Sequence, residues 1–486
     1  MSERSKAVGR GVVTQVGGRL AGLIFSLVTV ATSTQYLGVE RYGLLTGAIV
    51  IVGVFESLTE LGIGQVIVRR VSQGKGQLAA LSGTQLGLSL FLGPAVAVLA
   101  VLVGYMLTTD DPTQRLAVAI IAVGLIFTAL ARCGNPIFQV QVRFGASAIA
   151  DVSSRGLALA GTLVVAALDL GVLPMAAVQV IHPFVRMVVS LVAAGRMQPW
   201  KLNFDRSATW SLVKESLPIT AMLIVGVLYW RADGLILQAL SDNAQLAAYG
   251  VALAIAGNLN ILPQVLANTT LSTLAERHAT DRAAFNRTCR TIYQLLLVIM
   301  LPVAVFGWVL ADEAIELLSG AEYVPIAAPV LQLFFVGMAL GFLNPLLSTA
   351  LFSAGKQSFL LRMALVTLAV NIAAAFLLIP PFGAVGAGLG LVASELLGVT
   401  ASTYMLLREG VRLPAALDVA RILPAISLGL AMTYIMRDVP VVFTGLVVVV
   451  LYGGAVVATG AMPHSVVSSL IGRKDKPSKA RETVSV

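Results

Sequence analysis

Charge is scarce in this chain of 486 residues: Asp, Glu, Lys and Arg make up only 12% of it, against about 25% in an average soluble protein. Mean hydropathy is +0.90, which excludes a water-soluble globular domain as the main body. Cysteine is nearly missing as well. Cys133 and Cys289 stand far apart with neither metal-ligand nor redox spacing, so no disulfide framework is implied. The three histidines supply no paired ligands, which argues against a structural or catalytic metal. There is no GxxxxGK[ST] phosphate loop, so direct ATP hydrolysis is not expected. Gly386, Gly388 and Gly390 imitate a dinucleotide fingerprint, but no strand precedes them and they open an apolar helix. Nucleotide binding is rejected.

What the chain has instead is long apolar runs. Stretches of about 20 residues or more, enough to cross about 30 Å of hydrocarbon, recur from residue 10 to residue 460. Polar, Pro and Gly breaks divide them into spans at 10–34, 42–67, 82–107, 115–141, 147–168, 174–195, 212–238, 245–271, 288–311, 325–351, 359–380, 384–407, 417–436 and 441–460. The fold class is therefore an all-α integral membrane protein of about fourteen transmembrane helices. The first run follows Arg4, Lys6 and Arg10 and is too long for a signal-peptide core, so it reads as the first span.

The basic residues set the orientation. With the N-terminus inside, inner segments hold 25 of the 33 Lys and Arg, and the outer loops only Arg41, Arg115 and Arg437. N-terminus and C-terminus both face the cytoplasm in this reading, which places the chain in the cytoplasmic (inner) membrane. The net charge of +9 is spread over short connections, which is topology rather than a nucleic-acid surface.

An internal repeat follows. Gln35-Tyr36-Leu37-Gly38 with Tyr42-Gly43 resembles Gln238-Ala239-Leu240 with Tyr249-Gly250, and Arg155 and Arg362 share the same 207-residue offset as Tyr42 and Tyr249. Gly171-Val172-Leu173-Pro174 stands near Gly383-Ala384-Val385-Gly386 at a similar offset. Six spans return the chain to its starting side, so the halves form a parallel pseudo-repeat. The expected organisation is an N-lobe at 1–195, a cytoplasmic inter-lobe linker at 196–211 acting as a hinge, and a C-lobe at 212–407. Two extra helices at 408–460 and a basic tail at 461–486 complete it.

Ionisable residues inside spans are the candidates for function. A charge at the centre of a spanning helix opposes insertion by about 2.5–3.5 kcal/mol on the lenient scale, so such groups face protein or a wet cavity. Arg19, Arg132 and Arg186 have no partner nearby in sequence, and Arg231 joins them in span 7. Their planar forks suit the oxygens of a phosphate and keep their charge at any relevant pH. Asp151 and Arg155 share a helix face at i,i+4, where an ion pair is expected. Arg231 and Asp233, at i,i+2, do not face each other. Glu56, Glu60, Asp151, Arg155, Asp233 and Glu395 are assigned to charge balance or to a coupling ion, H⁺ or Na⁺. His182, before Pro183, reads as a packing residue.

The stretch from Tyr36 to Arg70 (YLGVERYGLLTGAIVIVGVFESLTELGIGQVIVRR) resembles polysaccharide transporters of the multidrug/oligosaccharidyl-lipid/polysaccharide exporter superfamily. So do Leu217-Pro218 opening span 7, Arg231 and Asp233 near its end, and the Gly320-Ala321-Glu322-Tyr323 loop. The resemblance covers nearly the whole chain. It implies two six-helix lobes around a central cavity and a transporter rather than an enzyme. The implied activity is flipping of polyprenyl-pyrophosphate-linked oligosaccharide across the membrane by alternating access, with Arg19, Arg132, Arg186 and Arg231 on the headgroup. Membrane lipid, and a polysaccharide polymerase with its chain-length machinery, are the implied partners; no cofactor is expected. Lipid II flippases of the superfamily also carry a basic residue in span 1, where Arg19 stands, but use another in span 8. Residues 245–271 hold no Lys or Arg, so lipid II is the alternative substrate. A cation-coupled multidrug exporter is a further alternative, disfavoured by five arginines within spans. An outer-face polymerase or ligase is disfavoured by outer loops of about a dozen residues.

Overall fold

Helix follows helix because apolar backbone in lipid must satisfy its own hydrogen bonds, which a chain of this composition does only as α-helix. A computed structural model describes residues 3–108, 111–141, 145–260, 274, 276–278, 280–411, 414 and 420–462, with side chains from residue 17 onward except at a few positions that include Arg19. Every regular element among the described residues is helical.

In order these are α1 (Glu3–Phe55), a 3₁₀ turn (Glu56–Thr59), α2 (Ile63–Ser72), α3 (Leu78–Leu107), α4 (Pro112–Arg132), α5 (Asn135–Val140), α6 (Gly145–Ala167) and α7 (Val172–Met197). There follow α8 (Arg206–Leu240), α9 (Asn243–Ala256), α10 (Arg282–Val309), α11 (Ala311–Ser319), α12 (Val324–Gly341) and α13 (Asn344–Ser353). The last four are α14 (Gln357–Phe382), α15 (Ala384–Arg408), α16 (Leu423–Ile435) and α17 (Val441–Ala458). Eleven stretches of helix among the described residues are long and apolar enough to cross a membrane. One of them, Ala21–Ser72, takes in residues 21–34 of the first expected span and the whole of the second. With the shorter apolar helices Asn243–Ala256 and Leu423–Ile435, the fourteen spans are accounted for.

Three departures from the expected layout have physical causes. The outer loop expected after span 1 is reduced to one residue, Gly38 at φ 69° and ψ 177°, inside α1. Tyr36, just before it, donates to Asp169 (2.9 Å) and accepts from the Gly171 amide (2.7 Å). After it, Gly43 lies against Asn243, Gly47 between Gln238 and Gln114, and Gly53 against Arg231. The chain thus reverses at Gly38 and descends along α8. Span 2 is not continuous either: it breaks at the 3₁₀ turn, with Leu61 (φ 49°) and Gly62 (φ 68°) both left-handed. Thr220 on α8 secures the break by donating to the Leu61 carbonyl at 2.7 Å.

The linker is the third departure. Only 198–205 is non-helical, because Asp205 caps α8 by accepting from the amides of Ser207 and Ala208. The Asn203 amide donates to the Gly83 carbonyl at 3.2 Å, and Phe204 packs edge-on to Phe91 at 5.9 Å. A side chain at Gly83 or Gly87 would collide with the carbonyl of Lys201 or Asn203. Residues 198–205 thus run as a strap along α3.

The chain divides into two compact units. The first comprises Met1–Asn258, Ala311–Phe334 and Met363–Ser394; the second comprises Leu259–Leu310, Phe335–Arg362 and Glu395–Val486. In the first, α1 packs on α6, α6 on α7, α7 on α4 and α4 on α3, and α1 also meets α4, α8 and α9. In the second, α10 packs on α13 and α16, and α16 on α17; Tyr452 donates to the Val298 carbonyl at 2.7 Å. The repeat shows in backbone detail: Gly171 (φ 88°) and Gly383 (φ 55°) each turn the chain immediately before α7 and α15.

Candidate functional site

The break in span 2 carries two carboxylates that share one cation. Glu56 opens the 3₁₀ turn and Glu60 closes it. From the C-terminal end of α4, Arg132 donates through Nη2 to Glu56 Oε1 and through Nη1 to Glu60 Oε2, each at 3.1 Å. The guanidinium fork thereby spans the break. Arg132 and Glu60 are mostly covered, whereas the Glu56 side chain is 46% exposed. Arg231 on α8 rests against Gly53, one turn before Glu56, with its Cζ 3.4 Å from where a side chain at Gly53 would begin. Arg231 forms no ion pair among the described residues.

A second cluster joins α1, α6 and α7. Arg155 Nε donates to Asp151 Oδ2 at 3.1 Å, the i,i+4 pair the spacing implies. Its Nη1 reaches across to Ser26 on α1. Gly22 makes the approach feasible, since a side chain there would stand 3.0 Å from Arg155 Cδ. His182 Nε2 lies 4.0 Å from Asp151 Oδ1 and makes no hydrogen bond. Arg186, one turn beyond His182, acts on Asp151 only through space and forms no ion pair among the described residues. α4 and α7 run side by side, with Phe127 edge-on to Phe184 at 5.2 Å and Ser190 donating to the Ala131 carbonyl at 2.9 Å. Arg186 therefore stands about 5–8 Å along the helix axes from the level of Arg132.

The remaining acids are separate. Asp233 is 6% exposed, accepting from the Gly234 amide at 2.9 Å and from the Tyr249 hydroxyl at 3.2 Å. Glu395 belongs to the second unit, is 2% exposed, and accepts from Asn344. Of the four arginines expected on a headgroup, Arg132 already carries two carboxylates, Arg186 and Arg231 form no ion pair among the described residues, and the side chain of Arg19 lies outside them. Ser26, Tyr249 and Asn344 escaped sequence reasoning. Only Tyr249 carried a signal, its place in the repeat.

The geometry defines a class: a multi-pass, all-helical membrane protein with a broken second span and paired charges inside its spans. Residues 34–328 match the family described as polysaccharide biosynthesis protein, and the chain belongs to it. It shares the fold of the multidrug/oligosaccharidyl-lipid/polysaccharide exporter superfamily. A lipid II flippase, MurJ in an inward closed conformation, is similar over 95% of this chain and 99% of its own, at TM-score 0.73 and 14% identity. An inward-facing multidrug resistance MATE transporter is similar over 80% and 97%, at TM-score 0.64 and 15% identity. A MATE transporter in a bent conformation follows at TM-score 0.53 and 15% identity, over 83% and 95%. No curated protein matches the chain.

Proposed function

We propose that the protein flips a polyprenyl-pyrophosphate-linked oligosaccharide, the repeat unit of an O-antigen or exopolysaccharide, from the inner to the outer leaflet by alternating access. The observation that carries this reading is the pair of arginines, Arg186 and Arg231, held in spanning helices of one unit without an ion-pair partner among the described residues. A half-buried cation inside a spanning helix without a partner is costly, and a pyrophosphate supplies the missing counter-charge with oxygens placed for a guanidinium fork. Arg132 orders the wall of the path through Glu56 and Glu60, and Arg19 joins the headgroup set from α1. The polyprenyl tail stays in lipid, so the charged headgroup never crosses bare hydrocarbon. Asp233, buried with Tyr249 and lacking an ion pair among the described residues, is the carboxylate for a coupling ion, H⁺ or Na⁺. Asp151, Arg155 and Glu395 balance charge.

In this reading the protein lies in the cytoplasmic membrane with both termini inside, where most of its basic connections fall. It hands its cargo to a polysaccharide polymerase and chain-length machinery, and catalyses no covalent step. Purified protein in liposomes, offered fluorescent polyprenyl-pyrophosphate oligosaccharide or lipid II, tests the assignment. Faster flipping of the oligosaccharide supports it; flipping of lipid II alone transfers the function to the peptidoglycan precursor, and efflux of organic cations with neither lipid moved rejects it.

A further inference from the structure

At the end of the first unit where α2 stops, the chain gathers cations around an open cleft of about 430 Å³ lined by Arg69, Arg70, Gln73, Lys75 and Glu215. Its walls are fixed. Ile63, Val66 and Ile67 of α2 are buried against Leu81 and Leu212, so the last turn of α2 cannot swing away from α8. Arg70 Nε donates to Glu215 Oε2 at 2.7 Å, and its Nη2 to Ser211 Oγ at 2.8 Å. Arg69 gives one Nη to the other oxygen of Glu215.

One carboxylate thus holds two guanidinium groups in place without matching their charge, and Lys75 makes no ion pair among the described residues. Three cations face one anion. The side chain of Arg69 is 50% exposed, with donors left over for the cleft. The strap and the first turns of α8 add Lys201, Arg206 and Lys214 against Asp205, so the field at this end is positive.

We infer that this cleft is a binding site for a phosphate group, separate from the charges inside the spans. Two planar forks and an ammonium around one open space match tetrahedral oxyanion geometry. The position, where a spanning element meets its polar connection, is where phosphates of anionic lipids collect beside basic segments. A free phosphate carries the same chemistry, and the experiment separates the two sources.

The test uses full-length protein and the double variant Arg69→Ala/Lys75→Ala, which leaves the tie between Arg70 and Glu215 in place. Arg287→Ala/Arg437→Ala, in the second unit, removes the same charge from other exposed positions. Native mass spectrometry after exchange into phosphatidylglycerol or phosphatidylcholine reads retained lipid. Wild type and control are expected to favour phosphatidylglycerol, and the double variant to lose that preference at least about fivefold. Thermal stabilisation of wild type, but not the double variant, by inorganic phosphate without lipid preference assigns the site to soluble phosphate. Equal lipid preference and equal phosphate response in all three proteins overturns the inference.

Discussion

Arg132 and Glu60, 72 residues apart in sequence, meet at 3.1 Å across a break in the second span. The same guanidinium holds Glu56, so a single cation organises the turn that interrupts the helix. Broken helices at membrane depth persist where they are buried in protein or line a polar path.

Removing that cation leaves two carboxylates facing each other. Arg132→Ala should lower stability by about 1–3 kcal/mol, seen as a lower midpoint of thermal unfolding in detergent. Arg132→Ala/Glu56→Gln/Glu60→Gln should regain most of that midpoint, because the charges left unpaired are gone. Equal midpoints for the single and triple variants would mean that the carboxylates left unpaired cost nothing.

Gly62 should resist substitution for two reasons. Its φ of 68° disfavours any side chain, and a Cβ would stand 2.6 Å from Ile219 Cγ2. Gly62→Ala is expected to cost about 2 kcal/mol or more. Gly445→Ala in α17, where nothing lies within 4 Å, should be neutral or slightly stabilising. Unfolding midpoints of the two variants compare them directly.

The strap along α3 makes its own prediction. Gly83→Ala places a methyl group against the Lys201 carbonyl and should lift 198–205 away from the helix, at a cost of about 1–3 kcal/mol. Limited proteolysis should then cut at Lys201 or Arg206 faster than in wild type. An unchanged cleavage rate would show that the segment is already free.

Hydropathy alone located the spans, since about 20 apolar residues leave few alternatives to a crossing helix. The pair of Asp151 and Arg155 was equally legible, being fixed by helix periodicity within one element. The break at Glu56–Gly62 was not, because its polar residues, Glu56, Ser57, Thr59 and Glu60, fit one face of a continuous helix as well as a turn, and nothing in the sequence marks Leu61 as left-handed. The partners of Arg132 and the tie from Arg70 to Glu215 lie 72 to 145 residues away, a distance over which spacing carries no information. The turn at Gly38 was hidden for another reason: a reversal needs only one left-handed glycine, whereas polar residues on both sides suggested a loop. The contact of 198–205 with α3 was not legible either, since its composition is polar and basic while the glycines that admit it, Gly83 and Gly87, lie on another helix.

The central claim is that Arg186 and Arg231 receive the pyrophosphate. Flipping of fluorescent polyprenyl-pyrophosphate oligosaccharide by purified Arg186→Ala and Arg231→Ala in liposomes, beside the Lys replacements, tests it most directly. Each Ala variant should flip at least about tenfold more slowly, as loss of a charge-assisted hydrogen bond implies. Each Lys variant should fall between, keeping the charge without the fork. Wild-type flipping by both Ala variants, at equal protein content and equal unfolding midpoint, would contradict the account.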